Sequence, residues 1–142
     1  MTIVIRPMGV SDAGEVLRAS SLFDSPPLPG ALREYLANER NLFLLAFEDR
    51  RTVGFLRGTA LQQLSTARPQ MFLYEIDVAP EFRRRGVARA LIEWLKSYCQ
   101  DRGFEEIFVL TDATNEAAIR MYESTGGRPE SSGERMFVYK LD

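Results

Sequence analysis

A dense apolar run, Met71-Phe72-Leu73-Tyr74-Glu75-Ile76-Asp77-Val78, passes through one short loop into an amphipathic segment that ends at Gly103. The first stretch has the apolar and aromatic density of a strand. The second places Leu91, Leu95 and Tyr98 on one face, and Gly103 suits the position just past a helix end. The loop between them holds Arg83-Arg84-Arg85-Gly86-Val87-Ala88-Arg89. A loop opening onto a helix start offers unpaired N–H groups and the positive end of the macrodipole. Gly86 and Ala88 leave room for a close backbone approach, and the arginines add formal charge. Such a loop suits a phosphate or pyrophosphate. The competing reading is a solvated basic helix start.

At 142 residues the chain reads as one domain, 1–142, large enough to bury its own core. Its net charge of −2 makes the arginine loop a local positive island, which disfavours nucleic acid as a partner. No apolar run reaches membrane-spanning length and no signal-peptide layout opens the sequence, so no membrane partner is expected. The single cysteine, Cys99, fits a reducing, cytoplasmic setting and reads as a packed thiol within the helix. Histidine is absent. That excludes Ser-His-Asp and Cys-His nucleophilic sites and His-containing zinc sites, and one cysteine cannot form a thiolate cluster, so no metal is expected. Proton transfer would fall to carboxylate, tyrosine, lysine, the thiol or ordered water.

Residues 3–5 predict a short strand, and Asp12 with Glu15 resembles a capping box opening a first helix. The prolines of 24–30 require a loop, and 31–39 reads as a second helix. Strands are predicted at 42–47 and 53–61, joined by a tight turn at Asp49-Arg50-Arg51. Beyond the arginine helix come a strand at 106–111, a helix at 115–124 stopped by Gly126-Gly127, and a closing strand at 136–141. This order gives an α/β domain with a mixed sheet.

In that setting Arg83-Arg84-Arg85-Gly86-Val87-Ala88 resembles the acetyl-CoA motif of the GCN5-related N-acetyltransferases (GNAT): Arg or Gln, two residues, Gly, one residue, then Gly or Ala. Pro80 and the preceding strand agree. Asn115-Glu116-Ala117-Ala118-Ile119-Arg120-Met121-Tyr122-Glu123, followed by Gly126, is similar to a second family segment. The resemblance runs over essentially the whole chain. It implies the GNAT fold, a mixed, mostly antiparallel central sheet flanked by helices on both faces. Tyr74 to Val78, and Leu110 to Asp112 onward to Tyr122, look similar to the small aminoglycoside 3-N-acetyltransferases.

The resemblance implies that the amides of Arg83, Arg84, Arg85, Gly86, Val87, Ala88 and Arg89 hold the pyrophosphate of acetyl-CoA. Arg83 and Arg84 are the first candidates for side-chain contacts. The pantetheine arm is expected beside Ile76, Asp77 and Val78, with an N–H near Val78 polarising the thioester carbonyl. Asn115, Ala118 and Tyr122 share a helix face. Asn115 reads as a cap that also reaches the cofactor side, and Tyr122 as the acid for the departing thiolate, a core aromatic being the plainer alternative. Glu75 and Asp77 share a strand face, where paired carboxylates suit a base and a cationic acceptor. Glu75 is taken as the base, with Asp77 and Asp112 anchoring ammonium groups. Glu48 and Glu116 are further base candidates, each more simply exposed. Asp24, in the proline loop, is a further cation contact. Phe23, Tyr35, Phe55 and Phe72 read as core ahead of cleft lining.

The leading expectation is thus acetyl transfer from acetyl-CoA to a primary amine of a small cationic acceptor. Protein N-terminal or lysine acetylation and a non-catalytic acyl-CoA sensor are the alternatives. A homodimer is expected by analogy with the superfamily.

Overall fold

The computed structural model describes residues 2–130 and 135–141. Among them, five strands form one sheet in chain order. β1 (Ile3–Pro7), β2 (Asn41–Glu48), β3 (Arg51–Leu61) and β4 (Gln70–Val78) are antiparallel neighbours, and β5 (Glu106–Val109) runs parallel to β4. The parallel pair needs a crossover. α3 (Val87–Asp101) supplies it, carrying Leu91, Leu95 and Cys99 on its buried face. Helices α1 (Ala13–Arg18) and α2 (Pro29–Ala37) cover the other face of the sheet. From α4 (Glu116–Ser124), Met121 and Tyr122 join the core under α3.

Each face of the sheet has its own core. Leu44, Leu56, Met71, Leu73, Leu91 and Leu95 pack on the α3 side. Val16, Leu32, Phe43, Leu45 and Phe55 pack beneath α1 and α2. Leu42 to Ala46 are all buried, the continuous apolar run of a strand covered on both sides. The β2–β3 hairpin turns through Asp49 (φ 48°) and Arg50 (φ 71°), two left-handed residues that match the twist of the flanking strands.

One irregularity positions the site. Arg57 pairs with Glu75, whereas Gly58 pairs with Leu73, so Tyr74 is an extra residue on β4. A bulge of this kind reverses which side chains face each way. Before it, Met71 and Leu73 enter the α3 core; after it, Ile76 and Val78 do. Glu75 and Asp77 are thereby turned away from that core, onto the α1–α2 side. Without the bulge the same strand would aim both carboxylates at buried leucines.

Several expectations are corrected. Asp12 accepts a bond from the Gly9 N–H at 2.8 Å, while Glu15 pairs with Arg6 across to β1, so the capping box expected from Asp12 and Glu15 is not formed. α2 begins at Pro29, whose fixed φ suits the first helical position. β5 ends at Val109, two residues before the expected boundary. The strand expected over 136–141 is not formed; those residues are described, unpaired and exposed. Their composition favours a strand, but a strand exists only where a neighbour completes its ladder. No helix among the described residues is long and apolar enough to cross a membrane.

Two glycines give opposite outcomes on replacement. A Cβ at Gly58 would lie 2.8 Å from the Phe72 carbonyl oxygen and 3.0 Å from Met71 Sδ. Gly58→Ala is expected to lower stability by about 1–3 kcal/mol. At Gly30, in the first turn of α2, a Cβ meets nothing within 4 Å, and Gly30→Ala should raise stability. The gain should be about 0.5 kcal/mol through helix propensity and the unfolded chain. Urea denaturation of both variants checks the pair.

Candidate active site

The site forms where β4 and β5 part. Their ladder ends at Leu73 and Val109, yet β4 continues to Val78 while still paired to β3. Residues 74–78 therefore have one bonded edge and one edge without a strand partner among the described residues. The wedge on that side is a cleft of about 790 Å³, lined by Ile76, Val78, Gly86, Ala88, Asn115 and Tyr122. Gly86 is the residue before α3, with φ 86° and no side-chain cap, and a Cβ there would meet nothing within 4 Å. Arg84 is also left-handed, with φ 64°. A loop of this form turns successive N–H groups toward one concavity, next to the first amides of α3.

The four arginines do different things. Arg83 ties down the end of β4: its Nε donates to the Val78 carbonyl at 3.1 Å, and Nη2 lies 3.4 Å from Asp77 Oδ1. Arg84 lines the cleft. Arg85 leans over the Phe82 ring, 5.2 Å from its centroid, and lies 3.8 Å from Glu48. Arg89 reaches Ser124 O at 3.4 Å, joining α3 to the end of α4. Of the two side chains expected to reach an anion, Arg84 lines the cleft with its backbone already strained into place, while Arg83 lines it but is committed to β4.

On the α1–α2 side a second cavity of about 250 Å³ is lined by Leu22, Asp24, Phe55, Glu75, Asp77 and Tyr122. Three carboxylates thus converge, and Asp24 joins them from the proline loop. Glu75 Oε1 accepts from Arg57 Nε at 2.5 Å. Arg57 in turn lies over the rings of Tyr74, at 4.4 Å, and Tyr35, at 5.5 Å. Asp77 Oδ1 accepts the Val78 N–H at 2.8 Å, so the amide expected to polarise a thioester is already engaged by the neighbouring carboxylate. The two cavities share Ile76, Asp77 and Tyr122. Burial pushes the Tyr122 phenol above its ordinary value, which keeps its proton on at neutral pH. Asn115 caps α4, its Oδ1 accepting the Ala118 N–H at 3.1 Å.

Other sequence expectations fall elsewhere. Asp112 lines neither cavity; it closes its own turn, accepting from Thr114 N at 2.9 Å and Thr114 Oγ1 at 2.7 Å. Those bonds hold its carboxyl below the ordinary range. An acid directly after β5 can stabilise the turn into α4 or face the cavity, and here the local turn wins. Glu48 is 7% exposed and sits behind the arginine loop, its Oε2 without a hydrogen-bond partner among the described residues. Glu116 is solvent-exposed on α4. Phe23, Phe43 and Phe55 form a ring cluster under α1 and α2, with Tyr35 edge-on to Phe43, so core packing is their main role. Arg57 and Leu22 were missed. Only the register of β3 against β4 brings Arg57 to Glu75, and no spacing within either strand announces it.

Comparison with known proteins gives a consistent picture. The family model described as "Acetyltransferase (GNAT) family" matches residues 14–126. N-acetyltransferase family 8 member 3 of Mus musculus is 25% identical over 107 residues, 75% of this chain and 46% of the relative. The chain spans less than half the length of that relative. An aminoglycoside acetyltransferase from an uncultured soil metagenomic sample, solved with sisomicin, superposes with a TM-score of 0.91 at 24% identity. That match covers 99% of this chain and 97% of the other. The aminoglycoside acetyltransferase AAC(6')-Iy, solved with a CoA-S-monomethyl-acetylneamine bisubstrate analogue, superposes at 0.81 with 22% identity, covering 100% and 99%. At these identities the two structures establish a shared fold.

The Tyr35 hydroxyl lies 3.0 Å from Leu42 O and 2.9 Å from Gly58 O, and burial, opposed by Arg57, pushes its pKa up to about 12. A group raised in the folded state contributes stability that is whole below the unfolded pKa and lost as pH climbs to the folded one. The expected window of loss is pH 10 to about 12. Denaturation across that window should show a steeper fall for the parent than for Tyr35→Phe, which has no phenol to ionise.

Proposed function

The chain belongs to the GNAT family of acetyltransferases, and on that premise we propose that it moves an acetyl group from acetyl-CoA to a primary amine of a small cationic acceptor such as an aminoglycoside. The observation that carries this reading is the meeting of two unlike cavities at Ile76, Asp77 and Tyr122. One presents main-chain donors and an unpaired strand edge; the other presents three carboxylates. A donor with a phosphate-bearing, peptide-like arm fits the first, and a polyamine fits the second. The neighbours solved with sisomicin and with a CoA–acetylneamine analogue support the same pairing.

The residues of the larger cleft fit coenzyme A. The amides of Arg84 to Ala88 and the Arg84 guanidinium would hold the pyrophosphate, where the dipole of α3 adds to their charge. The open edge of Ile76 to Val78 would continue its ladder onto the amide groups of the pantetheine arm. Arg85, Arg83 and Arg89 hold the loop, the end of β4 and the end of α4 in register around it. The Val78 N–H would exchange its bond to Asp77 for the thioester oxygen.

Acyl transfer then proceeds by direct attack. An acceptor ammonium held among Asp24, Glu75 and Asp77 first loses a proton, for which Glu75 Oε2 or a water beside it is the acceptor. The amine nitrogen bonds to the thioester carbon and the carbon–sulfur bond breaks, its electron pair leaving on sulfur. Tyr122 gives its hydroxyl proton to that thiolate, and the phenol is restored by the second proton from the amide nitrogen, passed through solvent. Arg57 fixes the Glu75 carboxylate, leaving one oxygen for this work.

A thiol-release assay with acetyl-CoA across aminoglycosides, polyamines, amino acids and short peptides tests the proposal. Release with the polycations is expected. Release with peptides alone would transfer the assignment to protein acetylation, and tight cofactor binding with no release would make the chain an acyl-CoA sensor. Tyr122→Phe should lower kcat by about 10²-fold while changing acetyl-CoA affinity less than about 2-fold, since it removes a proton donor and little packing. Glu75→Gln should depress the rate most at neutral pH, where amine deprotonation limits. An equal loss across pH would point to another base.

A further inference from the structure

The larger cleft carries a cation that a pyrophosphate on the arginine loop does not use. Its lining includes three arginines, Arg83, Arg84 and Arg120, and one acid, Asp77. Arg83 and Asp77 lie 3.4 Å apart and hold each other at the end of β4. Arg84 belongs to the loop, whereas Arg120 enters the cleft from α4. The ion pair of Arg120 is with Glu116, one turn earlier, at 3.8 Å, and the two side chains are 73% and 83% exposed. A surface pair of this kind is weak and screened by salt. A stronger anion brought to the same place displaces the carboxylate at little cost.

The geometry of α4 decides which part of a ligand Arg120 meets. Asn115, Ala118 and Tyr122 form one flank of the helix, and Tyr122 lies with Ile76 and Asp77 where the two cavities join. Ala117, Arg120 and Ser124, at i, i+3 and i+7, form another flank, and all three line the same cleft. The Ser124 carbonyl accepts from Arg89 at 3.4 Å, and Arg89 stands in the first turn of α3. That bond sets the Arg120 flank beside the start of α3, where loop amides and the helix dipole favour negative charge. A ligand whose arm runs along the Tyr122 flank therefore has its far end, beyond the loop, beside Arg120.

Coenzyme A has the matching chemistry at that end. Beyond its pyrophosphate comes a ribose that bears a separate phosphate on its 3′ carbon. A phosphate monoester carries close to two negative charges at neutral pH, and a guanidinium offers it paired N–H donors.

We propose that Arg120 binds the 3′-phosphate of coenzyme A, so that the cleft selects donors carrying this group; the inference rests on the proposed function. Main chain receives the pyrophosphate and one side chain receives the monoester. Glu116 holds the guanidinium at hand and yields it to the dianion.

Calorimetry of the full chain with coenzyme A and with 3′-dephospho-coenzyme A tests this with no acceptor present. The parent is expected to bind coenzyme A about 10-fold more tightly, the low end for a hydrogen bond to a charged group. Arg120→Ala keeps a good helix former at an exposed position, so circular dichroism should show the fold retained. That variant should bind the two nucleotides alike, with its affinity for the dephospho form nearly that of the parent. Glu116→Gln, which removes the competing carboxylate, should tighten coenzyme A about 2-fold and leave the dephospho form unchanged. A parent that binds both forms equally, or an Arg120→Ala variant that keeps the preference, overturns the inference. A parent that binds neither form overturns the donor assignment beneath it as well, so the two failures are told apart.

Discussion

The divergence of β4 from β5 is the constraint on which the rest of the site depends. A parallel pair that stayed in register to Val78 would be a stronger sheet, with every amide used inside the protein. Here the ladder stops at Leu73 and Val109, and among the described residues the strand edge beyond it is bonded on one side only. The bulge at Tyr74 acts on the same strand at the same level. It rotates Glu75 and Asp77 to the α1–α2 side while Ile76 and Val78 stay with the α3 core. One strand therefore presents main chain to one cavity and carboxylates to the other.

The arginine loop shows how charge is divided between scaffold and site. Arg83, Arg85 and Arg89 each have partners in the protein: the end of β4, the Phe82 ring with Glu48, and the end of α4. Glu48 is a buried carboxylate among these partners, and its second oxygen has no hydrogen-bond partner among the described residues. A buried carboxylate is tolerated where a cation stands over it, and here that cation belongs to the loop. The formal charge visible in the sequence is thus larger than the charge offered to an anion.

Local chemistry made much of this legible. Apolar periodicity placed β2, β3, β4 and α3, and Gly86 with Ala88 marked the helix start correctly. Asn115 was readable as a cap because capping is set within three residues. What depended on distant register was not readable. Arg57 meets Glu75 only through the β3–β4 ladder, and the bulge that turns the carboxylates has no signature beyond Gly58. Asp112 was misplaced because its turn, with Thr114, competes with the cavity. The strand expected at 136–141 had the right composition and no ladder partner among the described residues.

The larger cleft is framed by the arginine loop, the start of α3, the end of β4 and one face of α4. The smaller cavity is lined by Leu22, Asp24, Phe55 and Glu75 among others, carried on the segment between α1 and α2, on β3 and on β4. Substitutions in that second group leave the backbone of the first untouched, because the two meet at only three residues. On the proposed assignment of the two cavities, a lineage built on this plan can exchange one acceptor for another, residue by residue, without re-evolving its grip on the donor. The bulge at Tyr74 is what separates the inherited half from the adaptable one.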